Sequence, residues 1–167
     1  MGRDKALVPV EGTAMAVRVA AALRGAGASP VLAVGGDRPA LVALGLEWVA
    51  DRFPGQGPLG GLLSAFAAVP GAELVAVVAT DLPRLTASVL RTELSELAGH
   101  DVALARTDRL EPLCGIWRIA TCRPVLEAEF GRGQRSVHRA IEGLDVVEVT
   151  VDASLLRNVN APADLDQ

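Results

Sequence analysis

The sequence predicts an α/β protein, a three-layer α/β/α arrangement with a mostly parallel sheet, and two observations support that class. Short apolar runs alternate along the chain with segments of helical periodicity, which is the pattern of a sheet covered by helices. The run at 74–79 contains no polar residue and is rich in valine, as expected of a strand buried on both faces. The length of 167 residues suits one domain, so residues 1–167 are predicted to fold as a single unit.

The individual elements are predicted from periodicity and from turn residues. Strands are expected at 31–36, 46–50, 74–79, 101–106, 113–117 and 146–151, after a short apolar piece at 6–10. Helices are expected at 14–25, 39–44, 59–69, 87–97, 121–130 and 136–143, with a last short one from Pro162. Thr13 and Thr86 are the predicted N-caps, because a hydroxyl oxygen can accept a hydrogen bond from the first turn of a helix. Residues 109–112 are expected to form a turn.

Composition and charge argue against several classes of protein. Only 3% of the residues are aromatic and tyrosine is absent, so base-stacking platforms for single-stranded nucleic acid are not expected. The net charge of −4 indicates no basic surface for a nucleic-acid backbone. No apolar run has the length of a membrane span. Cys114 and Cys122 have neither metal nor disulfide spacing, which predicts a protein of the reducing cytoplasm.

Two carboxylates stand directly after predicted strands. Asp51 follows the strand at 46–50, and Asp81 follows the strand at 74–79. In open α/β sheets, ligands bind beyond the carboxyl ends of the strands. A carboxylate in that place suits Mg²⁺, which prefers oxygen ligands and commonly binds one or two carboxylates together with substrate phosphates. The alternative is that both aspartates only terminate their strands in turns.

A glycine-rich loop at 55–61, GQGPLGG, leads into a predicted helix. Backbone N–H groups at a helix start favour an anion or the polar edge of a base. The loop matches neither the Walker A motif nor the dinucleotide fingerprint. Its glycines can equally serve the tight packing of a helix on a strand, so the sequence leaves both interpretations open.

Other polar residues also have two interpretations. Lys5 lies ahead of the packed elements and is either a solvated cation or a ligand for phosphate. Asn158 and Asn160 flank one valine, so their amides point to the same side of an extended segment; they can bind a polar ligand or cap the last helix. His100 and His138 lack partners at metal or triad spacing and are assigned to the surface.

Several motifs together resemble the molybdenum cofactor guanylyltransferase family, within the nucleotidyltransferases of the nucleotide-diphospho-sugar transferase type. The motifs are MGRDKALV at 1–8, Asp51 followed by GPLGGL at 57–62, VVATDLP at 77–83, EPLCGIW at 111–117, GRGQRSV at 131–137 and NVNAPADL at 158–165. They occur in the family's order and span the whole chain. The resemblance implies a Rossmann-like fold of the nucleotide-diphospho-sugar transferase type.

The resemblance also implies a reaction, in which GMP passes from GTP to molybdopterin-bound molybdenum, forms the guanine dinucleotide cofactor and releases pyrophosphate. Lys5 would contact the GTP phosphates, and Asp81 would bind both GTP and Mg²⁺. These two are the implied catalytic residues. The implied nucleotide-binding residues further include Asp51, Gly57, Pro58, Leu59 and Gly60. Asn158 and Asn160 would lie toward the pterin substrate. Gly35 falls where the family often has a nucleotide-contacting asparagine, so that contact is expected to be lost.

The resemblance implies GTP and molybdopterin as substrates, Mg²⁺ as cofactor, and transient contact with other proteins of molybdenum cofactor biosynthesis. A cytidylyltransferase of the same cofactor is the nearest alternative, and a non-catalytic nucleotide-binding relic is another. The family begins with a strand and a glycine-rich loop immediately before MGxDK, whereas this sequence starts at that methionine. The family's first strand, glycine-rich loop and arginine are therefore absent from this sequence. We expect that the start was assigned at an internal methionine; the alternative is a degenerate member of the family.

Overall fold

The structure is a computed structural model that describes residues 5–157. Its strands are β1 Pro9–Val10, β2 Thr13–Ala14, β3 Leu32–Val34, β4 Glu47–Val49, β5 Leu74–Val78, β6 Val102–Arg106, β7 Leu110–Arg118 and β8 Val146–Thr150. Its helices are α1 Met15–Gly25, α2 Arg38–Ala43, α3 Gly57–Ala68, α4 Ala87–Leu97, α5 Ile119–Gly131 and α6 Val137–Ala140. Short 3-10 helices span Lys5–Leu7 and Ala153–Leu156. Alternation of strands and helices confirms the predicted α/β class.

The main sheet has four strands in the order β5-β7-β6-β8. β7 runs antiparallel to both of its neighbours, whereas β6 and β8 are parallel. The sheet is therefore mixed, with β5, β6 and β8 pointing the same way and β7 reversed. A separate parallel pair is formed by β3 and β4, and β1 pairs with β2 as a small hairpin.

Two apolar clusters cover opposite faces of the main sheet, which confirms the three-layer arrangement. Alternate residues of β6 point to opposite sides, as the two-residue period of a strand requires. Val102 and Leu104 pack with α3, α5 and α6, whereas Ala103 and Ala105 pack with α4 and part of α1. All four residues are fully buried. β6 is therefore a central strand of the molecule.

A groove lies between β3 and β5. Within the described residues, β3 hydrogen-bonds in a ladder only with β4, and β5 only with β7. The second edges of the two strands both line the groove, which is also bordered by Ala16, Ala20 and Leu23 of α1 and by Gly61 and Ala65 of α3. All five residues of β5 are half-buried. Both faces of β5 are nevertheless covered, as predicted, because Val75 and Val77 pack against one apolar cluster and Leu74, Ala76 and Val78 against the other. Only the free edge of the strand borders the groove, and this explains the partial exposure.

Some local predictions differ from the structure for identifiable reasons. Thr13 does not cap α1, because it belongs to β2 and the helix begins only at Met15, without a side-chain cap. Thr86 is the N-cap residue of α4, but its hydroxyl contacts the Ser88 hydroxyl at 2.8 Å rather than a helix N–H. The expected turn at 109–112 lies earlier, because β7 begins at Leu110. No helix among residues 5–157 has both the length and the apolar character needed to cross a membrane.

Candidate functional site

Asp81 lies in a pocket of about 300 Å³ just beyond the end of β5. The backbone N–H of Ala79 donates to the Leu113 carbonyl at 2.7 Å, so pairing with β7 continues past the last residue of the strand. Arg18 of α1 fixes the other side of the turn, because its Nε donates to the Pro83 carbonyl at 2.9 Å. Asp81 is thus half-buried on a segment held at both ends. Asp81 thus lies at the carboxyl end of a strand, as its position in the sequence predicts, and ligand binding at this edge stays a prediction.

Three further polar side chains line the Asp81 pocket. They are Glu111 of β7, Ser136 and His138. Glu111 is paired with Arg109, whose Nε lies 2.7 Å from its Oε1. His138 is exposed, as predicted, but it lines the Asp81 pocket rather than an unrelated surface. Sequence spacing could not reveal this grouping, because β7 and the segment after α5 meet Asp81 only through the fold.

Asp51 occupies the turn that follows β4. Its Oδ1 accepts hydrogen bonds from the Phe53 N–H at 2.9 Å and from the Ser64 hydroxyl at 2.8 Å. The same hydroxyl accepts from the Arg52 N–H at 2.9 Å. Ser64 lies in α3, so Asp51 ties the turn after β4 to the helix that carries the glycine-rich motif. Its role in binding a nucleotide stays a prediction.

Gly35 lies against Asp51. It has a φ of +69°, and a Cβ built on it would lie 3.2 Å from the Cβ of Asp51. The carbonyl of Gly35 accepts a hydrogen bond from the Trp48 indole at 2.8 Å. A side chain at this position would therefore crowd the aspartate, and glycine leaves space beside it.

The glycine-rich motif forms the first turn of α3. Pro58 has no N–H, and the Leu59 N–H donates to the Arg135 carbonyl at 3.2 Å. The expectation of unused donors at this helix start is therefore wrong for these two positions. The Leu59 side chain is fully buried in the core, so only its backbone lies at the loop surface. Pro58 lines the Asp81 pocket and also the groove between β3 and β5.

The glycines of this motif have packing roles. A Cβ on Gly60 would come within 2.9 Å of the Phe53 Cβ, and one on Gly57, whose φ is +77°, within 3.2 Å of the Arg135 Cβ. Tight packing, which the sequence left open as an alternative, is therefore present at both positions. Contacts of Gly57, Pro58 and Gly60 with a nucleotide stay predictions.

The other residues predicted from the sequence lie in different parts of the chain. Lys5 is exposed at the start of the 3-10 helix Lys5–Leu7, which packs against α1 through buried Ala6. Asn158 and Asn160 lie outside the described residues. Cys114 is fully buried, and burial raises the pKa of its thiol far above the ordinary range. This confirms it as a core residue rather than a nucleophile.

Asp81 is the residue to test as a metal ligand. Among residues 5–157, no cluster of three histidine, cysteine or acidic side chains could hold a metal ion by itself. Mg²⁺ does not need such a cluster, since it commonly binds one or two carboxylates and takes its other ligands from phosphates and water. A single half-buried carboxylate beside an open pocket fits that donor set.

The fold and the site define a class of protein. Helices on both faces of a mixed sheet give the chain the fold of solved nucleotidyltransferases. Within this class, the chain belongs to the family of MobA-like NTP transferase domains, whose family model matches residues 1–147.

Two relatives of this chain are named as molybdenum cofactor guanylyltransferases. The chain is 36% identical to a probable molybdenum cofactor guanylyltransferase of Opitutus terrae, over 86% of this chain and 72% of that protein. It is 32% identical to the molybdenum cofactor guanylyltransferase of Rhodobacter capsulatus, over 99% of this chain and 86% of that protein.

Solved structures show the same fold. Molybdopterin-guanine dinucleotide biosynthesis protein A of Archaeoglobus fulgidus superposes with a TM-score of 0.75 and 25% identity, covering 99% of this chain and 88% of that one. A 2-C-methyl-D-erythritol 4-phosphate cytidylyltransferase of Thermus thermophilus gives a TM-score of 0.73 at 18% identity, covering 97% and 90%. The second likeness concerns the fold alone, so it carries no argument about which base is bound.

Proposed function

We propose that this protein transfers GMP from GTP to molybdopterin-bound molybdenum, forming the molybdopterin guanine dinucleotide cofactor and releasing pyrophosphate. The observation that carries the proposal is the meeting of Asp81 and the glycine-rich start of α3 in one pocket. The chain in which they meet is similar over most of its length to molybdenum cofactor guanylyltransferases. GTP and molybdopterin are the substrates of this proposal.

The chemistry is an in-line displacement at phosphorus. The terminal phosphate of molybdopterin attacks the α-phosphorus of GTP, a new P–O bond forms, and the bond to the bridging oxygen of pyrophosphate breaks. The chain must therefore hold two polyanions close together and screen their charge. Asp81 is the proposed metal-binding carboxylate, and Mg²⁺ bound there would supply charge neutralisation for the phosphates. Lys5 is proposed to contribute a positive charge to the same phosphates.

The pocket beyond Asp81 has room for part of the second substrate. Glu111, Ser136 and His138 offer both hydrogen-bond donors and acceptors along its wall. A pterin carries amide-like and amino groups along one edge, which such a mixed lining can bind. Asn158 and Asn160 are proposed to act on the same substrate. Cys114 and Cys122 form no disulfide, which supports placing the reaction in the reducing cytoplasm.

The replacement of Asp81 by asparagine tests the proposal. Asp81→Asn keeps the shape of the side chain but removes the charge that binds the metal, so the transfer rate should fall by about a hundredfold or more. The assay follows pyrophosphate release from GTP in the presence of molybdopterin-bound molybdenum and Mg²⁺. The matched control is Glu127→Gln, on the exposed face of α5, which should leave the rate unchanged.

Circular dichroism and a thermal melt should show that the Asp81→Asn variant keeps the fold. A variant that retains nearly the full rate at saturating Mg²⁺ would refute the assignment of the metal to Asp81. Absence of GTP-dependent pyrophosphate release by the unaltered protein would instead favour the non-catalytic alternative.

A further inference from the structure

The segment GRGQRSV at 131–137 belongs to the motifs of the sequence, and Ser136 is the only one of its residues to which the mechanism above gives a role. It follows α5 and precedes α6. The structure brings this segment against the loop at 55–61, more than seventy residues earlier in the chain. Arg135 makes the contacts that join the two segments, from both its side chain and its backbone.

The guanidinium of Arg135 is fixed by groups at the end of α5. Its Nη1 donates to the carbonyls of Phe130 at 2.9 Å and Gln134 at 2.8 Å. Its central carbon lies 4.1 Å from the centroid of the Phe130 ring, in a cation–π contact. A planar group held by two carbonyls and a ring has little freedom left. From this fixed position its Nε donates to the Gln56 Oε1 at 2.9 Å.

The backbone of Arg135 contacts the same loop. Its carbonyl accepts the Leu59 N–H at 3.2 Å, which gives a partner to one of the unpaired donors of the first turn of α3. Gly57 approaches so closely that a Cβ there would lie 3.3 Å from the same carbonyl oxygen. Residues 56, 57 and 59 are thus held by one residue of another segment.

We infer that Arg135 is a positioning residue that holds the 55–61 loop, the proposed nucleotide-binding segment, in the geometry that favours GTP over CTP, an inference that rests on the function proposed above. A base edge is selected by groups whose place is fixed to a fraction of an ångström. A mismatched base then leaves buried polar groups unpaired, whereas a displaced loop loses this discrimination. Lysine cannot replace Arg135, because a single ammonium cannot bond to Gln56 and two carbonyls in one plane.

The test compares Arg135→Ala, Arg135→Lys and Gln56→Ala with the control Arg132→Ala. Arg132 is exposed in the same segment, and among the residues that the structure describes its side chain pairs with Glu129, three residues earlier. GTP and CTP are titrated by calorimetry, and KM and kcat are measured for transfer. Both Arg135 variants should lose about tenfold in GTP affinity with little change for CTP, while kcat at saturating GTP stays close to that of the unaltered protein. Gln56→Ala should lose less GTP affinity than the Arg135 variants. The double variant Gln56→Ala/Arg135→Ala should lose no more than Arg135→Ala alone.

Hydrogen exchange supplies a readout that does not depend on the nucleotide. The amides of residues 57, 59 and 60 should exchange faster in the Arg135 variants than in Arg132→Ala, while those of β6 stay protected. Unchanged exchange in the loop would overturn the inference, whatever the unaltered protein binds. Equal losses for GTP and CTP would overturn it too, and so would a fall in kcat at constant KM. Equal GTP and CTP affinities of the unaltered protein would instead count against the proposed guanine substrate.

Discussion

Glu93 is the residue whose environment departs most from that of an ordinary glutamate. It lies in α4, is fully buried, and faces Cys114, whose thiol donates to its Oε1 at 3.7 Å. Within residues 5–157, its Oε2 has no hydrogen-bond partner. Burial disfavours the charged form and raises the pKa of this carboxyl from 4.5 to about 8. Glu93 is therefore mostly protonated in the folded protein at neutral pH.

This pKa predicts a stability that falls as the pH rises. The folded state holds its proton up to about pH 8, whereas the unfolded state loses it near pH 4.5, so unfolding releases a proton between these values. The free energy of unfolding should therefore decrease from about pH 4.5 to pH 8 and level off above. Glu93→Gln is neutral at every pH and should remove this decrease, which is on the order of 5 kcal/mol for a pKa that rises from 4.5 to about 8.

Denaturant unfolding at pH 5 and pH 9 measures the difference between the two proteins. Glu96→Gln provides the control, because Glu96 is exposed on the same helix and its replacement should leave the pH profile as it is. Parallel profiles for Glu93→Gln and the unaltered protein would show that the buried carboxyl does not govern the alkaline loss of stability.

At the residue scale, the position of Asp81 after a strand was sufficient to place it at a sheet edge. It was not sufficient to identify the residues that surround it. An aspartate that follows an apolar run can be placed at a sheet edge from the sequence, since the end of a strand is a local property. Glu111 and His138 could not be found in this way. They meet Asp81 because β7 runs antiparallel to β5 and because the segment after α5 folds back across the sheet end.

At the scale of an element, the start of α3 shows how packing and binding can be separated. Gly60 and Gly61 are neighbours in this helix, but only Gly60 is in close contact, with Phe53; a Cβ on Gly61 would meet nothing within 4 Å. Alanine at position 60 therefore needs a shift of the turn after β4, whereas alanine at position 61 needs none.

We expect Gly60→Ala to lower the free energy of unfolding by about 1–3 kcal/mol through overpacking. Gly61→Ala should raise it by up to about 1 kcal/mol, because alanine is the better helix former. Urea unfolding curves of the two variants provide the comparison. If Gly60→Ala keeps full stability and only weakens GTP binding, the glycine serves the ligand rather than the packing.

The limits of sequence patterns also appear at the scale of elements. Helical periodicity located α3 and α4 well, because the pattern of apolar residues on one face is local. The N-terminus of α1 was misplaced because Thr13 pairs with Val10 in a β-hairpin instead of capping the helix. The start of β7 was missed because residues 109–112 contain a proline and charged residues, although the pairing of Leu110 with Arg106 extends the strand.

At the scale of the whole molecule, the groove between β3 and β5 divides the strands into separate sheets. The sequence could not predict its effect on β5, since periodicity describes one strand and not its neighbours. Ala6 packs in the same cluster as Ala16 and Ala20, which border the groove.

The position of Pro58 between the groove and the Asp81 pocket links the shapes of these two spaces. One residue at the start of α3 forms part of the wall of the groove and part of the wall of the Asp81 pocket. A helix that moves to accommodate an occupant in one space changes the shape of the other. Thermodynamic linkage makes this effect reciprocal, so the factor by which groove occupancy alters ligand affinity is also the factor by which the ligand stabilises the occupied groove. The groove and the Asp81 pocket would then communicate through a rigid proline rather than through a chain of hydrogen bonds.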